Sequence, residues 1–286
     1  MRFASYQVGK EEKLGIVRND NLIDISSLYH DIFQVIEDGE KAFVKINDFI
    51  SKQQLDVTQM EHTELLAPMK RAKRNIICVG WNYLEHFNER HNQNIELPES
   101  PTVFTKATNT ITGPFSDIHV DSDYTNKLDY EAELAVIIAK RGKNIVKEEA
   151  EEYVFGYAVA NDISARDVQF AHGGQWFLGK SMDESCPIGP YIVTKDEIDD
   201  VQRLEISCYV NGTRVQHSNT ELMMFQVADI IAEISKGMTL EPGDIILTGT
   251  PQGIGSKRNP PLFLQHNDIV TVEVEQIGQI KNKIKY

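Results

Sequence analysis

Tyr130-Glu131-Ala132-Glu133-Leu134 and, further along, Asn161-Asp162 carry the residues of this chain best placed for chemistry. Tyr130 to Ala139 reads as a strand, apolar apart from two acids two positions apart. Side chains alternate faces along a strand, so Glu131 and Glu133 point the same way. Two carboxylates on one face of an apolar strand repel each other and cost desolvation energy. A divalent cation between them relieves both problems. Asp162 ends a second apolar run, Val154 to Ala160, where a strand gives way to a loop, and it supplies a third candidate ligand. Three carboxylates without Cys or His favour Mg2+ or Mn2+ over Zn2+. The competing reading is an exposed strand face with its acids in water.

A second constellation lies in Gly80-Trp81-Asn82-Tyr83-Leu84-Glu85-His86-Phe87-Asn88-Glu89, which follows an apolar run and enters a short helix. His86 and Glu89, three apart, share a helix face. A carboxylate beside an imidazole fixes its tautomer and raises its basicity, which makes a general base. A surface His–Glu pair is the plain alternative.

These residues need a strand-rich scaffold. From Asn75 onward, Ile76–Val79, Thr102–Phe104, Leu134–Ile138, Val154–Ala160, Tyr191–Thr194, Leu204–Val210, Ile245–Leu247 and Val270–Val274 read as strands. Gly- and Asn-bearing turns such as Asn211-Gly212 and Pro242-Gly243-Asp244 separate them. Phe225 to Ile234 has helical spacing. The pattern is not βαβ; it predicts an α+β, mainly β fold, a mixed and mostly antiparallel β-roll or barrel. Residues 1–70 form a small N-terminal α+β domain of short strands and two helical stripes, and residues 71–286 the domain that carries the motifs. A basic, proline-bearing linker at 68–75 joins them.

Net charge is −14, which argues against nucleic acid and anionic membranes as partners. No apolar run approaches the ~20 residues of a membrane helix, and Met1 to Tyr6 lacks a secretory leader. Cys78, Cys186 and Cys208 are scattered and form no C-x-x-C, which fits a reducing cytoplasm and no structural zinc.

Taken together, Val79–His86, Tyr130–Leu134, Gly156–Asp167, Gly179-Lys180-Ser181 with Pro187–Pro190, and Pro242–Pro251 resemble, in order, the fumarylacetoacetate hydrolase superfamily. The resemblance covers residues 72–286 and is of the bacterial fumarylpyruvate hydrolase, acylpyruvase and oxaloacetate decarboxylase type. It implies Glu131, Glu133 and Asp162 as metal ligands and His86 with Glu89 as a water-activating dyad on a lid. It implies Lys180 as a catalytic cation, Lys106 and Gln169 as substrate contacts, and Gly249 with Thr250 as the hold on a substrate carboxylate. Arg166 and Asp167 are expected to be structural, in internal ion pairs. Phe115, Met182 and Glu184 depart from the pattern at positions expected near the pocket wall. The resemblance also implies a small 2-oxo acid substrate and a homodimer.

One site of this kind supports three outcomes. Water directed by His86 at a distal carbonyl cleaves an acylpyruvate or fumarylpyruvate; a distal carboxylate leaves as CO2; a moved proton alone gives keto–enol or double-bond isomerisation. The complete His–Glu pair favours hydrolysis of the C–C bond in a 2,4-dioxo acid. A non-catalytic binding protein on the same fold is the contrasting reading.

Overall fold

In the computed structural model, which describes residues 1–52, 57–60, 63–90 and 96–286, the apolar run behind the two glutamates is the strand Ala132–Ile138, buried throughout. Leu134, Val136 and Ile138 enter one core cluster, and Ala135 and Ile137 enter another. This is the period of two expected for a strand covered on both faces. Val154–Asn161 lies antiparallel to it, with Ala132 opposite Asn161 and Glu133 opposite Ala160. Here Val159 joins the first cluster, and Ala158 and Ala160 the second.

Twelve strands share this sheet among the described residues. Ile245–Leu247 pairs with Ala132–Ile138, then Ile76–Gly80 runs parallel to it, and Thr102–Lys106 closes that side. On the other side, Val154–Asn161 pairs with Cys186–Thr194, whose far edge takes Arg2–Val8, with Phe3 opposite Ile192. The strands Glu11–Arg18 and Asn21–Asp24 continue the sheet outward. The first seventy residues therefore extend the same hydrogen-bonded sheet. Their helices, Ile32–Asp38 and Glu40–Lys52, cover one face through Ile32, Val35, Ile36, Ala42 and Ile46.

A five-stranded sheet covers the opposite face through Ile206, Cys208, Val272 and Ile280, joined by Ile230 and Ile234 of the helix Val227–Gly237. Asn211 and Gly212 join two of its strands with φ of 51° and 79°, the left-handed pair that a type I′ turn requires. The fold is thus the expected strand-rich, mixed architecture, built as layered open sheets and not as a closed barrel. No helix among the described residues is long and apolar enough to cross a membrane.

The strand Val154–Asn161, which leads into Asp162, tolerates no added bulk at Gly156. A Cβ there would stand 2.3 Å from the Val193 carbonyl oxygen on the neighbouring strand. Gly156→Ala should therefore destabilise the protein by about 1–3 kcal/mol, the usual cost of overpacking. A thermal melt matching the parent protein would show that the two strands part freely.

Candidate active site

Residues 131 and 133 share a face with Ala135 and Ile137, and residue 162 shares one with Ala158 and Ala160. Strand alternation therefore brings three carboxylates together where the two strands end. One oxygen from each of Glu131, Glu133 and Asp162 lies within 4.8 Å of the others, and all three residues are buried. The Asp162 N–H bonds the Glu131 carbonyl at 2.9 Å, and the Asn161 side chain accepts the Glu131 N–H at 2.9 Å, so the backbone is pinned on both sides.

Three cations converge on this cluster. The Lys180 ammonium, 2 % exposed, bridges Glu131 Oε2 and Asp162 Oδ2 at 2.6 Å each. Lys106 donates to Asp162 Oδ1 at 2.8 Å and to the Ile163 carbonyl at 3.1 Å. Arg166 donates to Glu131 Oε1 at 2.6 Å, to Asp129 Oδ2 at 2.8 Å and to Gln169 Oε1 at 3.0 Å. Lys180 ends the short helix Phe177–Lys180, which lies against Arg166–Ala171. Gly179 permits that approach, since a Cβ there would meet the Gln169 backbone at 2.4 Å.

The carboxylates are treated unequally. Burial pushes Glu131 up, but Lys180 and Arg166 outweigh it and hold the group down at about 2. Burial, then the charges of Asp162 and Glu131, push Glu133 well above the usual carboxylate range. Glu133 forms no salt bridge among the described residues; its Oε2 accepts the Gly249 N–H at 2.7 Å. A buried hard-oxygen trio with one member lacking a cationic partner fits a divalent cation such as Mg2+ or Mn2+.

The strand Ile76–Gly80 delivers the second constellation. Asn82, fully buried, donates to the carbonyls of Thr248 and Phe225 at 2.8 and 2.9 Å and accepts the Phe225 N–H at 2.8 Å. That anchors the entry to the helix Leu84–Arg90. His86, 5 % exposed, has Nδ1 at 3.2 Å from Glu89 Oε2, and Glu89 Oε1 accepts the Gly253 N–H at 2.8 Å. A proton on Nδ1 leaves Nε2 as the basic nitrogen. His86, Glu131, Glu133, Arg166, Gln169, Lys180 and Thr250 line one cavity, walled by Trp81, Phe104 and Trp176. Its volume is about 20 Å³, room for about one water molecule. Trp176 meets Trp81 and Phe104 edge-on, with ring centroids 4.8 and 5.1 Å apart.

Several expected site residues have partners within the protein. Lys106 is not among the lining residues; its ammonium donates to Asp162. The Gly249 N–H holds Glu133, and the Thr250 hydroxyl accepts from Gln216 at 2.9 Å while lining the cavity. Arg166 stands in the expected internal ion pairs, with Asp129 and Glu131, and also lines the cavity, whereas Asp167 has no ion pair among the described residues and accepts from the Thr125 hydroxyl at 2.6 Å. Phe115 lines a separate cavity with Met60 and Tyr191, Met182 packs on the larger core, and Glu184 binds the His119 N–H at 2.9 Å. None of those three reaches this cavity wall. Sequence reading passed over Asn82, Asp129 and Trp176. Asp129, a buried acid directly before Tyr130, carried a visible signal; Asn82 and Trp176 did not.

Residues 75–285 match the family model described as fumarylacetoacetate (FAA) hydrolase C-terminal. The chain is 44% identical over 251 residues to the mitochondrial oxaloacetate tautomerase Fahd2a of Rattus norvegicus, covering 88% of this chain and 78% of that one. It is similar to the solved fumarylacetoacetate hydrolase from psychrophilic Exiguobacterium antarcticum, with TM-score 0.88, 38% identity, and coverage of 100% and 99% of the two chains. It is also similar to a maleylpyruvate hydrolase from Sphingobium sp. SYK-6 solved in complex with manganese(II) and pyruvate, with TM-score 0.82, 27% identity, and coverage of 100% and 99%.

The charge imbalance at Glu133 predicts opposite effects of one substitution. Glu133→Gln should leave the melting temperature of metal-free protein unchanged or higher, because a poorly paired buried acid is removed. The same variant should lose the stabilisation conferred by Mn2+, about 2.7 kcal/mol at a hundredfold excess over Kd. Melts with and without Mn2+ check both; equal Mn2+ stabilisation of parent and variant would remove Glu133 from the ligand set.

Proposed function

The chain belongs to the fumarylacetoacetate hydrolase family, and from that premise we propose that it is a divalent-cation-dependent enzyme acting on a small 2-oxo acid, with oxaloacetate keto–enol tautomerisation as its reaction. The carrying observation is the meeting of an acid–base pair, His86 with Glu89, and a buried ammonium, Lys180, at one small carboxylate-lined cavity. A cation held by Glu131, Glu133 and Asp162 would act as a Lewis acid toward the ketone and carboxylate oxygens of the substrate.

The residues divide the remaining work. His86 Nε2 takes the proton from the carbon between the two carbonyls, and Glu89 stabilises the imidazolium that results. Lys180 sets positive charge beside the ketone oxygen, where negative charge develops. Returning the proton to that oxygen completes the enol, and the reverse sequence restores the ketone. Arg166, Gln169 and Thr250 offer donors to the carboxylates of the acid. Aromatic walls exclude water, which strengthens these interactions. Proton transfer is favoured over the hydrolysis expected from sequence for two reasons. It needs only the groups already at the cavity and no placed water, and the 44%-identical rat relative bears the name of a tautomerase. Cleavage of a 2,4-dioxo acid is the second reading, supported by the intact His86–Glu89 pair and by the hydrolase names of the two similar structures.

Both readings meet in one experiment. Enol-to-ketone conversion of oxaloacetate, pyruvate release from oxaloacetate and cleavage of acetylpyruvate should be followed with Mg2+, Mn2+ or EDTA. Tautomerisation should be fastest, should be lost in EDTA, and should fall by about 10²–10⁴-fold in His86→Ala, the span for removal of a general base. Acetylpyruvate cleavage faster than tautomerisation would overturn the first reading in favour of the second.

A further inference from the structure

Asp129 is completely buried, does not line the cavity, and accepts four hydrogen bonds. Its Oδ1 takes the N–H groups of Gly255 at 2.7 Å and Tyr130 at 3.0 Å. Its Oδ2 takes Arg166 Nε at 2.8 Å and the Ser256 N–H at 3.0 Å. Two of these arms lead to different parts of the site. Through Arg166 the path reaches Glu131 at 2.6 Å and Gln169 at 3.0 Å. Through the Gly255–Ser256 turn it reaches Gly253, whose N–H holds Glu89 at 2.8 Å, and thence His86. Arg258 ties the same turn to the Tyr130 hydroxyl at 3.0 Å and to the Gly253 carbonyl at 3.2 Å.

We infer that Asp129 is a positioning residue that holds the carboxylate cluster and the His86–Glu89 pair in register from behind. Every partner of Asp129 is a donor, so both of its oxygens must accept. An asparagine in the same place turns an amide NH2 against an arriving N–H. The inference rests on the reading of His86–Glu89 as the proton-handling pair and adds the residue that places it.

A double-mutant cycle tests it on the full chain, with Asp129→Asn, Glu89→Gln and both together, each checked for folding by circular dichroism. Asp129→Asn should lower kcat for oxaloacetate enol–keto conversion by about 10–100-fold. In the Glu89→Gln background, assayed at saturating Mn2+ so that the arm to Glu131 does not contribute, the same change should cost less than about threefold, since the arm to the acid–base pair is already broken. Calorimetric titration of metal-free protein with Mn2+ should show affinity reduced about tenfold by Asp129→Asn. Losses that multiply in full in the double variant overturn the arm to Glu89, and unchanged Mn2+ affinity overturns the arm to Glu131. If Asp129→Asn does not fold, Ser256→Pro takes its place. Ser256 lies in the 3-10 turn Gly255–Lys257, and the change removes one N–H from Asp129. Its loss should also vanish in the Glu89→Gln background, and a loss that persists there overturns the inference. Parent-level rates in both His86→Ala and Glu89→Gln would bring down the functional reading and this inference with it. Lowered rates in both with a multiplicative cycle bring down the inference alone.

Discussion

Four buried carboxylates, those of Asp129, Glu131, Glu133 and Asp162, face three buried cations, those of Lys106, Arg166 and Lys180, where two apolar strands end. Removing such groups from water costs several kcal/mol per ion unless each finds partners of good geometry. Glu131 has two cationic partners, Asp162 has two, and Glu133 has none among the described residues. The deficit of positive charge is therefore localised at one oxygen pair, and that is where added charge is best stabilised. Much of the surrounding architecture serves to bring the three cations inward. Lys106 arrives on a sheet strand, and Arg166 and Lys180 arrive on two short helices that touch through a glycine.

The acid–base pair is held by a different logic. His86 sits on a helix of seven residues, too short to be stable alone, so its placement depends on both ends being tied. Asn82 ties the start to two backbone segments, and Glu89 ties the end to Gly253. With this helix docked the cavity admits little more than one water.

What could be read from sequence was what is local. Alternation placed Glu131 and Glu133 on one face, i to i+3 spacing paired His86 with Glu89, and Asn211-Gly212 marked a hairpin that forms. Long-range electrostatics were not local. Nothing near Lys106 announces that its ammonium turns to Asp162, 56 residues away. The strands Thr213–Asn219 and Gly278–Lys285 escaped notice because polar residues occupy their exposed positions and leave few apolar residues in sequence. Phe115 was read toward the pocket, but it belongs to a surface cavity assembled from the N-terminal segment.

The junction between Arg2–Val8 and Cys186–Thr194 has a consequence for how the molecule can be divided. Cys186–Thr194 is apolar and almost wholly buried, and the N-terminal strand covers the backbone at its end, Ile192 to Thr194. A chain cut after the linker would leave the backbone groups of Ile192 to Thr194 as a short unpaired edge without a charged residue, while Ile111–Thr112 still covers Cys186 and Pro187. Such an edge invites strand addition from other molecules. The N-terminal segment, though none of its described residues lines the cavity, thus covers apolar backbone that would otherwise be open to pairing.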